Sequence, residues 1–150
     1  MTSGNARIGE PVGVGTSMLP SILPGARLEL APVAPGALRV GDVICFLGED
    51  GGGVAHRLVA MRNGADGVHL VVRGDAQTVC EEVPAQAVIA RVEVVHNPRF
   101  SYSADGPVGA AFAALALRAG WSLSVMRRLA MIGGSMVRGA RLFFHQPREK

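Results

Sequence analysis

Five stretches between residues 27 and 96 have the apolar patterning of short strands. Arg27-Leu28-Glu29-Leu30 alternates polar and apolar positions. The segment from Val40 to Leu47 is more continuously apolar and reads as a more buried strand. Val54 to Met61 and Val68 to Arg73 flank Asn63-Gly64-Ala65-Asp66-Gly67, two glycine-bearing turn signals that predict a hairpin. Ala87 to His96 reads as a strand with Val88, Ala90, Val92 and Val94 on one face and Arg91 and Glu93 on the other. Short strands punctuated by Gly and Pro predict a mainly β body.

The pattern changes after Pro107. Gly109 to Leu117 and Trp121 to Met131 favour helix by propensity, and Gly133-Gly134 should break the run. Three regions are therefore expected: a flexible N-terminus over 1–11, a β domain over 12–105, and a basic, apolar helical tail over 106–150. From Gly106 to Pro147 the tail carries five arginines and no acid. On a continuous helix Arg127, Arg138 and Arg141 fall within about 60° of one another, with Arg118 opposite. Arginine-only charge with Phe112, Trp121, Phe143 and Phe144 fits an interfacial anchor on an anionic membrane surface through residues 107–144. A helical hairpin packed on the β body or on a partner fits equally.

A chain of 150 residues has room for one domain that buries roughly 70% of its unfolded surface. No metal or disulfide framework is required, and no metal or cofactor is expected. Two cysteines exclude a disulfide-rich scaffold and a four-cysteine zinc site. Cys45 and Cys80 read as two buried free thiols in preference to a bridge. No apolar run reaches the length of a standard spanning helix, and the first residues show no secretory h-region. The expected location is therefore cytoplasmic or peripheral to a membrane. A net charge of +3 is too small to argue for nucleic acid, and no nucleic-acid partner is expected.

The candidate chemistry starts at Gly13-Val14-Gly15-Thr16-Ser17-Met18-Leu19-Pro20. Glycines four and two residues before Ser17 permit a sharp turn and close approach to a substrate, and Pro20 stiffens the exit. Such a serine can present its Oγ as a nucleophile, or it can simply make a turn. A nucleophilic serine needs a base. Fourteen of the fifteen basic residues are arginine, and the one lysine is Lys150 at the end of the chain. The bases left are His56, His69, His96 and His145. His56 shares a strand face with Val54 and Leu58, which fits either a satisfied core histidine or a buried base. If the hairpin turn centres on Ala65, paired residues sum to about 130, and His56 lies opposite Gly74, next to Asp75. A carboxylate there could fix the imidazole tautomer.

These residues resemble a family. Gly15-x-Ser17-Met18-x-Pro20, Gly41-Asp42-Val43-Ile44, His56-Arg57 and Arg73-Gly74-Asp75-Ala76 look like the ordered motifs of type I signal peptidases, in their histidine-dependent branch. The wider clan includes self-cleaving repressor peptidases. The resemblance covers about residues 12 to 95. It implies an antiparallel β fold and a serine endopeptidase with Ser17 as nucleophile, His56 as general base and Asp75 as orienting carboxylate. Gly15, Thr16, Met18 and Pro20 would line the substrate and oxyanion region, with Met18 either a pocket wall or an ordinary core methionine. A polypeptide substrate would bind as an extended strand, and the enzyme would be a dedicated processing peptidase. Some positions depart from the family. Gly15 stands where many relatives have a serine, Gly25-Ala26 replaces Gly-Asp, and a second aspartate after Asp75 is missing, so Glu81 or Glu82 is an alternative orienting acid. The other reading is a catalytically inactive peptide-binding module of the same fold.

Overall fold

The structure is a computed structural model that describes residues 12–118 and 141–143. Among the described residues it contains nine strands and one α-helix. The strands are β1 (Val12–Val14), β2 (Arg27–Ala31), β3 (Val43–Leu47), β4 (Gly53–Gly64), β5 (Gly67–Arg73), β6 (Glu81–Pro84), β7 (Val88–His96), β8 (Ser101–Ser103) and β9 (Arg141–Phe143). The helix α1 spans Pro107–Arg118. The protein is mainly β, as the patterning predicts, and its strand pairings are antiparallel.

The sheet runs β3-β7-β2-β1-β9-β4-β5-β6, with β8 on the outside of β7, and β3 also pairs with β4. That last pairing closes β3, β7, β2, β1, β9 and β4 into a ring. Closure removes the open edges that an unfinished sheet would present. The twelve-residue β4 serves two partners: Gly53 to Arg57 pair with β3, and Arg57 to Gly64 continue outward with β5.

The β4–β5 hairpin turns through Ala65-Asp66, with Gly64 opposite Gly67 at φ +125°. A bulge between Leu58 and Ala60 shifts the register, so that Arg57 pairs with Arg73. The pairing ends there, one residue short of His56 and Gly74, and His56 pairs with Ile44 of β3.

β3 is buried on both faces. Val43 and Cys45 join one core with Met18, Leu28, Leu30, Ala90 and Val92, while Ile44 and Phe46 join a second with Leu58, Leu70 and Val72. Each buried aliphatic side chain contributes about 1.5–3 kcal/mol by leaving water. On β7 the expected apolar face is only partly realised. Ala90 and Val92 point into the first core, but Val95 joins them in place of Val94. The irregularity opposite Glu29 and Leu30 is the cause, because an extra residue inverts the two-residue period. The cysteines are both free, as expected, yet only Cys45 is buried; Cys80 is exposed on the segment before β6.

Pro107 opens α1, a position where its missing N–H costs nothing. The helix docks on the ring through Phe112, whose ring lies 5.3 Å from that of Tyr102. Arg73 donates to the Ala116 carbonyl at 2.6 Å, placing a cation at the helix C-terminus. No helix among the described residues is long and apolar enough to cross a membrane. The tail is not helical throughout: Arg141–Phe143 form β9, pairing with β1 and β4. The free backbone groups of those two strands give this Phe-bearing segment more hydrogen bonds as a strand than an isolated helical turn could supply. The expectations for residues 1–11, for Trp121 to Met131 and for Gly133-Gly134 lie outside the described residues.

Gly109 sits where α1 folds back on its own leader; a Cβ there would lie 2.1 Å from the Ala104 carbonyl oxygen. Gly109→Ala should therefore displace the helix at a cost of about 1–3 kcal/mol. Urea denaturation and amide exchange over residues 107–118 check this, and unchanged protection of the helix would contradict it.

Candidate functional site

The turn that carries Ser17 is built from local backbone bonds. Gly15 adopts φ +122°, and the Leu19 N–H donates to the Thr16 carbonyl at 3.2 Å. The Ile22 N–H donates to Met18 at 3.0 Å. Pro20 follows a cis peptide bond from Leu19 and is half-buried. Met18 is 1% exposed and belongs to the first core. Ser17 itself is buried.

The residue that fastens this turn is Ser21. Its hydroxyl lies 2.5 Å from Asp75 Oδ2 and 2.8 Å from the Met18 carbonyl. Its own carbonyl accepts bonds from Asn97 Nδ2 at 3.0 Å and from the Tyr102 hydroxyl at 2.9 Å. Burial pushes the Tyr102 phenol up to about 12, which keeps it a donor at neutral pH. Asn97 Oδ1 also accepts the Leu23 N–H at 2.8 Å.

Asp75 is held from the other side by Arg57. Arg57 Nε donates to Oδ1 at 2.8 Å and an Nη to Oδ2 at 2.7 Å, a bidentate pair with each side chain only 4% exposed. The second Arg57 Nη donates to the Gly41 carbonyl at 2.8 Å. The aspartate expected to orient His56 therefore spends its oxygens on Arg57 and Ser21. No hydrogen bond joins it to His56.

The backbone of Ser17 crosses Gly74. The Ser17 carbonyl accepts the Ala76 N–H at 2.8 Å and lies 2.6 Å from where a Gly74 Cβ would stand. Any side chain at 74 would push the serine turn away, which is why glycine occupies this crossing. His56 precedes Arg57 on β4, on the face that carries Val54 and Leu58, as its spacing predicts. Its ring meets Phe46 edge-on, with centroids 6.0 Å apart.

His56 is 6% exposed, and neither ring nitrogen has a hydrogen-bond partner. It is not a satisfied core histidine. The nearest acid is Glu81, whose carboxylate lies 3.8 Å from Nδ1, too far for a hydrogen bond. Burial lowers the His56 pKa from 6.5 to about 4, against a smaller upward pull from Asp75. The imidazole is thus neutral at pH 7. It opens on a cavity of about 520 Å³ walled by the segment from Ala76 to Glu81. Gly15, Thr16, Ser17, Met18, Pro20 and Asp75 are not part of that wall.

Of the other histidines, His69 pairs with Asp66 at 2.8 Å and His96 with Glu29 at 2.8 Å, both at the surface of the sheet. His145 lies outside the described residues. Among the described residues no three His, Cys, Asp or Glu side chains gather as a metal site. Sequence reasoning missed Ser21, Arg57, Asn97 and Tyr102 as the frame of the site. Arg57 carried a signal, since an arginine between His56 and Leu58 in an apolar strand must find a buried acid. No family model, curated protein or solved structure matches the chain.

Two expectations follow from this geometry. Asp75→Leu or Arg57→Met alone strands a buried charge and should cost about 3–5 kcal/mol, whereas the double variant should recover most of it. Urea unfolding of the four proteins checks this; additive losses would mean the two groups are not coupled. For His56, the unfolded chain binds a proton near pH 6.5 that the folded chain refuses until about pH 4. Stability is full above pH 6.5 and falls towards pH 4, by on the order of 3 kcal/mol. His56→Gln should flatten that limb of the urea-midpoint profile, and an unchanged slope would assign the acid sensitivity to another group.

Proposed function

We propose that the protein is a serine endopeptidase resembling the histidine-dependent type I signal peptidases, with Ser17 as nucleophile and His56 as general base. The observation that carries this reading is the buried, neutral and unpartnered His56, facing a cavity beside the backbone turn of Ser17. A neutral imidazole is the form that can accept the hydroxyl proton. Burying two unpartnered ring nitrogens costs stability, and a base awaiting a substrate and a serine is a reason for that cost.

In this mechanism an extended peptide enters along the 76–81 segment. Ser17 Oγ attacks the scissile carbonyl as His56 takes its proton. The tetrahedral oxyanion is held by backbone N–H groups of the serine turn. His56 returns the proton to the leaving amine, and the Ser17 ester is then hydrolysed by water activated by the same imidazole. Arg57 and Asp75 act as positioning residues, holding the serine turn through Ser21. Attack requires Ser17 Oγ to form the hydrogen bond that the His56 ring lacks here, a tightening common when substrate arrives.

The missing Ser17–His56 hydrogen bond favours a second reading, a peptide-binding module without catalysis. A screen of unstructured peptides, with new termini read by mass spectrometry, separates the two. Wild type should generate new termini, Ser17→Ala none, and His56→Ala fewer by at least about 1,000-fold. Cleavage that survives in Ser17→Ala would move the nucleophile elsewhere. A wild-type protein that captures peptides without cutting them would be the binding module.

A further inference from the structure

The cavity beside His56 carries an acidic group that no basic side chain among the described residues neutralises. Among the described residues its wall, from Ala76 to Glu81 with His56, contains one acid and no lysine or arginine. The Glu81 side chain is about half-exposed, at 48%. Among the described residues its ionic contact is His56, at 3.8 Å, which burial keeps neutral at pH 7. The arginines around the site are committed elsewhere. Arg57 holds Asp75 and the Gly41 carbonyl, Arg73 holds the Ala116 carbonyl, and Arg62 lies 3.8 Å from Glu82.

The rest of the wall is neutral and half apolar. Val79 is 77% exposed and Cys80 is exposed, while Gln77 and Thr78 supply uncharged polar groups. A volume of about 520 Å³ falls in the range of ligand sites and accommodates a long side chain. The aliphatic stem of an arginine or lysine would lie on Val79 and Cys80 with its charged head at the mouth, where Glu81 stands. His56 marks the same cavity independently, as a buried group that still needs a hydrogen-bond partner.

We infer that Glu81 makes this cavity selective for peptide segments that carry a cationic side chain beside the reacting bond. The inference rests on the peptide-site reading above and names the substrate class for it. The Coulomb attraction acts across a half-exposed mouth, so the selectivity is moderate, about five- to tenfold.

The test measures binding apart from cleavage. Ser17→Ala protein is titrated with fluorescent decapeptides that are identical except for one residue, Arg, Gln or Glu, moved along the peptide. At one position the Arg peptide should bind about five- to tenfold tighter than the Gln peptide and tighter still than the Glu peptide. Adding Glu81→Gln should remove the difference, and Glu81→Lys should reverse it, with circular dichroism confirming that both variants fold. Wild-type protein is assayed in parallel for cleavage of the same peptides. Arg-selective binding without cleavage would uphold the inference and overturn the peptidase reading. Cleavage with no charge preference would do the opposite. Equal binding of all peptides, no binding, or a preference that survives in Glu81→Gln overturns the inference.

Discussion

The buried pair of Arg57 and Asp75 is the constraint on which the rest of the site depends. Arg57 reaches from β4 to the Gly41 carbonyl ahead of β3 and to Asp75 beyond β5. Asp75 passes the connection to Ser21, and the Ser21 carbonyl gathers Asn97 and Tyr102 from either side of the turn into β8. Distant parts of the chain thus meet through one desolvated ion pair. Such pairs add little net stability, because desolvation opposes the attraction. Their effect is on geometry: a misplaced strand would leave a charge buried alone. The pair therefore selects the one arrangement in which the serine turn crosses Gly74.

Much of the ring was legible in the chain. The strands at 27–31, 43–47, 53–64, 67–73 and 88–96 follow from alternation and turn glycines. The register expected from the turn holds at Arg57 and Arg73 because a two-residue turn and one bulge offset each other. The short strands β1, β6, β8 and β9 were not legible, since three or four residues cannot establish a period and their pairing is decided by partners far along the chain. Val94 and Val95 exchanged places for a related reason, a bulge that local pattern does not announce. The hydrogen bonds of Asp75 were not legible, because Arg57, whose full charge outcompetes a neutral imidazole for a buried carboxylate, was not weighed.

His56 and Asp75 illustrate opposite treatments of buried polar groups within one site. Asp75 has both oxygens engaged and is held rigidly. His56 has neither nitrogen engaged and is positioned only by packing against Phe46 and its own strand. A fully bonded group has no capacity left for a ligand, whereas an unbonded one gains a hydrogen bond when a ligand arrives. That contrast, more than any single distance, separates the rigid frame around Ser21 from a buried group with bonding capacity to spare.

The position of β9 also bears on how the chain can be made. Ring closure sets β9 between β1, the first strand described, and β4. As the chain leaves the ribosome, β2, β3, β4 and β7 can pair as they emerge, but the gap beside β1 stays open until residues 141–143 are free. The contact that completes the wall spans more than 120 residues, from Gly13 to Leu142. Loop-closure entropy over such a span makes this step late and slow. A nascent chain stalled before that point would hold two unpaired strand edges, the form of a β protein most prone to join its neighbours.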